Sequence, residues 1–127
     1  MKYVLPLITI IVALIILIDI AAYNYLNTTS QNFNNTIIKI EKDVNNGKWD
    51  SAKNKIEKLD KTWNKINSKW AILIEHNEID EIDITLAKLK SYIYTNNKNF
   101  SLAELKTLNE KFKHIPVSEK LILENIL

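Results

Sequence analysis

The sequence predicts an all-α protein: an N-terminal transmembrane helix followed by a small bundle of αα-hairpins, the bundle itself of four to five helices, with tetratricopeptide-like packing as one arrangement. Three observations predict it. Residues 4–18 are apolar apart from Thr9. Farther along, apolar side chains recur at alternating steps of three and four, the period of one helix face. The 127 residues hold one Gly, two Pro and no Cys, too few turn formers for a fold of many short strands.

The same scarcity excludes whole classes of function. A single Gly leaves no Gly-rich phosphate loop and no dinucleotide fingerprint. The lack of Cys removes disulfides, thiolate metal sites, a Cys nucleophile and a lipidated Cys anchor. All 17 basic residues are Lys, and the formal net charge is only +2, which disfavours nucleic acid as a partner. Ile, Lys and Asn supply 54 residues, a bias in keeping with an A/T-rich coding genome.

The apolar stretch sets the domain organisation. From Tyr3 to Tyr23 there are 21 residues, about 30 Å of helix and enough to cross a bilayer core. The two tyrosines bracket it as interfacial aromatics do. Pro6 falls in the first turn, where a missing N–H costs little, and Asp19 lies one turn from the far end, near water. The rival reading is a cleaved signal peptide, but the run is at the upper length limit and the best small-residue site pairs Ile20 with Ala22. A retained anchor over residues 1–23 is the preferred reading, with a domain over 24–127. Lys2 precedes the span and residues 24–38 carry no charge. The N-terminus is therefore expected in the cytoplasm and the domain outside the cell membrane.

Four apolar series follow. Leu26, Phe33, Ile37, Ile40 and Val44 predict a helix leaving the membrane, weakened by the Asn/Thr-rich stretch 27–36 and ended by Gly47 as a left-handed cap. Trp49, Ala52, Ile56, Leu59, Trp63, Ile66, Trp70 and Leu73 predict a second. Ile72, Ile79, Ile82, Leu86, Leu89 and Ile93 form a third, out of phase with the second, so a break or a rotation of the buried face is expected near 74–78. After a turn at Thr95–Asn99, Leu105, Leu108, Phe112 and Ile115 form a fourth, closing before Pro116. Ser118 then caps a short last helix containing Leu121, Ile122 and Ile126. Trp49, Trp63, Trp70, Ile79, Ile82, Leu86, Leu89 and Phe112 are the expected core.

Two segments look alike. Seven positions of the first two series, Ile37 to Ile66, recur 49 residues later as Leu86 to Ile115. The turn Asn45-Asn46-Gly47-Lys48-Trp49 matches Asn96-Asn97-Lys98-Asn99-Phe100 at an offset of 51 instead. Two helical hairpins of one design would explain both.

Chemistry-bearing residues are few. The stretch Glu75 to Asp83 holds five carboxylates and His76, with no Lys. On a helix His76, Asp80 and Asp83 share a face, and with His114 they are the candidate metal ligands. Glu75, Glu78 and Glu81 are the candidate partner contacts. The plainer reading of both sets is a solvated face and a helix start, where acids meet the positive dipole end. The three tryptophans likewise read as core-filling rings before they read as a partner hot spot. No hydrolytic triad has material here, so no catalytic residue is assigned, no cofactor is expected, and the chain is read as a non-enzyme. Residues 39–69 carry nine Lys against five acids and residues 70–104 three against six. Packing these segments together would pair them, within one chain or between two copies.

In its order of features the chain resembles a family described only as domain of unknown function 4363. The resemblance is carried by the N-terminal anchor, Trp49-Asp50-x-Ala52, Trp63 and the block Trp70 to Asp80 (WAILIEHNEID). Leu86-Ala87-x-Leu89-Lys90-x-Tyr92-Ile93, His114-Ile115-Pro116 and Asn125-Ile126-Leu127 add to it. It implies a single-anchor envelope protein of a clostridial-type Gram-positive anaerobe with a multi-pass membrane protein as partner. It assigns no activity, and it draws attention to His76, Glu78, Asp80 and His114.

Three functions therefore compete at this stage. One is a membrane-tethered module for protein–protein interaction, bound to the bilayer through residues 3–23. Another is a homo-oligomeric spacer built on the heptad-like faces of residues 26–70. The third is a divalent-cation-dependent sensor or hydrolase centred on the His/acid cluster.

Overall fold

The computed structural model describes residues 2–126, with side chains as far as Val117. Four helices follow one another: α1 Val4–Asn45, α2 Trp49–Leu73, α3 His76–Tyr94 and α4 Lys98–Ile126. The links are two or three residues long, so neighbours run antiparallel. Each helix packs on the next, and α4 returns against α1 to close the ring. This is an up-down-up-down four-helix bundle. It is not the open stack of tetratricopeptide units, because the first and last helices pack on each other.

The 42 residues of α1 make a helix about 63 Å long at 1.5 Å per residue. Its first half carries an apolar window of 18 residues, long enough to cross a membrane and with none of it buried. The second half buries Leu26, Phe33, Ile37, Ile40 and Val44 at 0–4% exposure. Nothing in the backbone marks residues 23–24; the helix passes straight through, and only the surroundings of its side chains change. The Asn/Thr-rich stretch does not interrupt it. Thr29 and Thr36 turn their hydroxyls back onto the carbonyls of Tyr25 and Asn32, so these side chains satisfy themselves on the helix.

The two outer turns are one motif built twice. At the end of α1, Lys48 N–H donates to Asp43 O at 2.8 Å and Gly47 N–H to Val44 O at 3.2 Å, with Gly47 at φ +69°. At the end of α3, Asn97 N–H donates to Tyr92 O at 2.9 Å and Asn96 N–H to Ile93 O at 3.1 Å, with Asn96 at φ +55°. Both are Schellman caps, with the left-handed residue just past the helix. Gly47 and Asn96 stand 49 positions apart, as do the starts of α2 and α4. The turn and the apolar faces thus share one offset. The lexical match at 51 is two residues out of register, because it aligned letters and not the positive-φ position.

The break expected near 74–78 falls at Ile74 and Glu75, between α2 and α3, and Ile74 is buried there. The third series needs one correction. Ile72, expected inside, is 83% exposed, because a helix ending at Leu73 keeps it on the outer face of α2. The fourth helix also differs: α4 runs through Pro116 to Ile126. An interior proline removes one N–H from the ladder and costs a helix about 3 kcal/mol or more; α4 nevertheless continues past Pro116, which is itself buried. No separate short helix begins at Ser118, and the side chains of Ser118, Leu121, Ile122 and Ile126 lie outside those described.

The centre of the bundle is aromatic. Phe33 and Phe112 stack with ring centres 4.8 Å apart, and Trp63 meets Phe33 edge-on at 5.9 Å. Trp70 meets Trp63 and Phe112 edge-on at 5.5 and 5.7 Å. Offset and edge-on pairs of this kind add to what ring burial supplies. Trp49 stands apart from the cluster, half-buried at the start of α2. These contacts also set the register. With Phe33 level with Trp63 and the helices antiparallel, Leu26 is about level with Trp70, and the α2–α3 turn lies about level with Tyr23.

Candidate functional site

Two grooves run along the seams of the bundle. The first lies between α1 and α2. Phe33, Leu59 and Ile66 form its floor, Thr29, Asn32, Thr36 and Thr62 its uncharged polar walls, and Lys39, Lys55 and Lys58 one end; its volume is about 360 Å³. Lys55 is committed within the fold. Its ammonium donates to Asp43, whose Oδ2 also accepts from Ser51 at 2.7 Å. The Lys55 bond, opposed by burial and helped by Ser51, holds the Asp43 carboxyl below its ordinary value. Lys39 and Lys58 have no ion pair among the described residues. The first groove therefore offers an apolar bed, hydroxyl and amide edges, and two uncommitted cations.

The second groove lies between α3 and α4. Glu78 and Glu81 face Lys106, Glu110, Lys111 and His114 across about 460 Å³, and Glu81 is paired with Lys111. This places one candidate metal ligand, His114, beside Glu78 and Glu81. Asp83 goes elsewhere: it faces α2 and accepts the indole N–H of Trp63 at 2.6 Å. His76 and Asp80 are exposed at the start of α3. The four expected ligands are thus divided between two seams, and among the described residues no three His, Asp or Glu side chains converge as a metal ion requires. Helical periodicity explains the division. His76, Asp80 and Asp83 lie on one flank of the buried stripe of α3, Glu78 and Glu81 on the other. Of the candidate partner contacts, Glu81 is spent on Lys111, Glu78 is half-buried and Glu75 is the exposed residue before α3.

A polar network between α2 and α3 was not foreseen. Lys90 pairs with Glu57 at 3.1 Å and Asp60 at 3.2 Å, and the Tyr94 hydroxyl donates to Glu57. The Tyr94 bond first, and Lys90 second, lower the Glu57 carboxyl below its ordinary value. Lys90 is raised chiefly by Glu57, and Tyr94 by the same carboxylate. The sign of this pairing reverses the expected one. The acids come from the Lys-rich segment 39–69 and the lysine from the acidic segment, since pairing follows which flanks meet and not segment totals. The excess Lys of residues 39–69 is left largely on the surface.

The groove polar walls were legible in part: Thr29, Asn32 and Thr36 recur at helical spacing, an uncharged stripe beside the buried one. Nothing local signals that α2 brings Thr62 and Lys58 to the same seam. In the half of the bundle nearer the apolar segment, Tyr25 Oη, Ser30 Oγ and Trp70 Nε1 are buried with no hydrogen-bond partner among the described residues.

The fold and these surfaces define a class: a four-helix bundle whose first helix extends into a segment long and apolar enough to span a membrane. The chain belongs to the family described as domain of unknown function DUF4363, matched over residues 20–126. The match begins at the last turn of the apolar segment and takes in the whole bundle. Neither the curated proteins nor the solved structures contain a match.

Proposed function

We propose that the chain is a membrane-anchored module for protein–protein interaction at the outer face of the cell membrane. Residues 3–23 serve as the anchor, with the N-terminus in the cytoplasm. One observation carries the reading: α1 is a single helix from Val4 to Asn45. Its lower half has the length and apolarity of a span, and its upper half is a wall of the α1–α2 groove. A docking surface is then rigidly coupled to the membrane, with no flexible linker between them.

The chemistry of the groove suits an acidic amphipathic helix. Its apolar bed takes a hydrophobic stripe, and Lys39 and Lys58 meet acids on the flank of that stripe. An extracytoplasmic segment of a multi-pass membrane protein is the partner that agrees with the family resemblance. Three carboxylates of α2 and α3 hold helices together: Asp83 with Trp63, Glu81 with Lys111, and Glu57 with Lys90 and Tyr94. A spacer assembled through the heptad-like faces of residues 26–70 is less well supported, because those faces are buried within one chain.

The test is photo-crosslinking from Thr36 and from Thr62 in the full chain in its native membrane. A discrete adduct at both positions, lost in a Lys39→Glu/Lys58→Glu variant that still folds, is the expected result. No adduct at either position in any growth phase would overturn the reading. Orientation is tested separately with Lys48→Cys at the far turn and a membrane-impermeant maleimide, which is expected to label intact cells. Labelling only after permeabilisation would reverse the topology.

A further inference from the structure

We infer that the membrane-side end of the bundle is a lipid-contacting foot, with Ile72 seated in the headgroup region of the bilayer that α1 crosses and Lys69 reaching anionic lipid beside it. The inference rests on the anchor reading above and deepens it.

Exposure selects the residue. Apart from the apolar segment at the start of α1, the exposed large hydrophobic residues among those described are Ile38, Ile72, Ile84, Tyr94, Phe100 and Val117. Five of them are 48–57% exposed, and Ile72 is 83% exposed. The register selects the place. The Phe33–Trp63 contact sets the two helices level there, and nine further residues along α2 bring Ile72 about level with Asn24. Tyr23, the aromatic that closes the apolar segment, is the preceding residue. Because α1 is unbroken through this point, the bundle cannot fold away from the bilayer. Its membrane-side end meets the surface at a fixed height.

The outer face of α2 has the composition a lipid surface selects. Lys65, Lys69 and Ile72 follow one another at steps of four and three, all exposed. Lys69 lies one turn above Ile72, inside the roughly 8 Å over which a charged surface is felt at physiological ionic strength. Its long stem lets the ammonium reach down while the carbons stay against the apolar side chain. Lys65, one turn higher, is near that limit. Glu75, at the turn itself, opposes an anionic surface, so apolar contact leads and the lysine contribution depends on salt and lipid charge.

The absence of Cys makes the test direct. The full chain carrying Ile72→Cys, Ile38→Cys or Ile11→Cys is labelled with an environment-sensitive fluorophore. Each variant is reconstituted in vesicles of phosphatidylcholine with a minority of phosphatidylglycerol. The expected result at position 72 is blue-shifted emission, quenched several-fold more strongly than at 38 by a nitroxide carried near the lipid headgroup. Quenching at 72 is also expected to weaken in phosphatidylcholine alone. Water-like emission at 72 with lipid quenching at 11 would overturn the foot and leave the anchor standing. Water-like emission at 11 would remove the anchor and the foot together. Blue-shifted emission at 72 without lipid quenching would mean that protein, such as a second copy of this chain, covers Ile72, and would also overturn the inference. Quenching at 72 that is equal in both lipid mixtures would overturn the assignment of Lys69.

Discussion

The indole N–H of Trp63 on α2 donates to Asp83 Oδ1 on α3 across 2.6 Å. The ring is 1% exposed, yet its polar edge reaches a carboxylate at the surface of the next helix. The bond fixes the rotation of α2 against α3 at mid-height in the bundle. Asp83→Ala leaves the indole donor without its acceptor and is expected to cost about 1–3 kcal/mol. A double-mutant cycle with Trp63→Phe, followed by denaturant unfolding in micelles, should show the two losses to be less than additive. Strict additivity would mean that the bond contributes nothing beyond the packing of the ring.

The paired caps give a second prediction. A Cβ on Gly47 would meet nothing within 4 Å, and its φ is +69°. Any cost of Gly47→Ala is therefore conformational, about 1–2 kcal/mol for a residue forced into the left-handed region. Asn96 holds the same position in the second copy of the motif at φ +55°. Asn96→Gly should be neutral or slightly stabilising, because glycine adopts that conformation freely. Thermal melts of the two variants should move in opposite directions or, for Asn96→Gly, not at all.

Phe112, like Trp63, touches each of the other three rings of the aromatic cluster: Phe33, Trp63 and Trp70. Phe112→Ala is expected to lose about 3–5 kcal/mol, the range for deleting a buried ring. Phe112→Leu keeps part of the volume and should fall between Ala and wild type. Tryptophan fluorescence reports the same event: with Phe112 gone, Trp63 and Trp70 should emit closer to the red.

The charged groups predict a stability plateau with two limbs. Asp43 is lowered from 3.8 by its bond from Lys55, and Glu57 from 4.5 by Tyr94 and Lys90. Both favour the folded state above those ordinary values, and the contribution is lost as pH falls through their lower folded values. Lys90, raised from 10.5 by Glu57 and Asp60, and Tyr94, raised from 10.0 by Glu57, contribute fully below those values. That part is lost as pH rises through the raised ones. The contribution of these four groups to the denaturation midpoint should therefore be flat between 4.5 and 10.0 and fall on either side. Asp43→Asn should flatten the acid limb and Lys90→Gln the alkaline one. Glu57 and Tyr94 are near solvent, so added salt should shrink their share first.

The sequence by itself determined the elements. Apolar residues at steps of three and four locate four helical faces, because only that period puts them on one side. A lone glycine after two asparagines marks one helix end, because it alone enters the left-handed region without cost. A long uncharged run marks the segment able to span a bilayer. Those signals are local, and each is readable from neighbours within two turns.

What the tertiary structure decided is which flanks meet. Closure of α4 onto α1 turned two hairpins into one bundle and hid the faces that would otherwise have joined other chains. Asp83 went to Trp63 and His114 to the opposite seam, separating two members of the candidate ligand set. Ile72 fell outside because the helix ended one residue later, and α4 ran on through Pro116, which the fold buries. The physical reason is the same in each case. A helix position fixes a direction in space only once the rotation and register of its neighbours are set, and contacts such as Phe33 on Phe112 and Trp63 to Asp83, between residues far apart in the chain, set them.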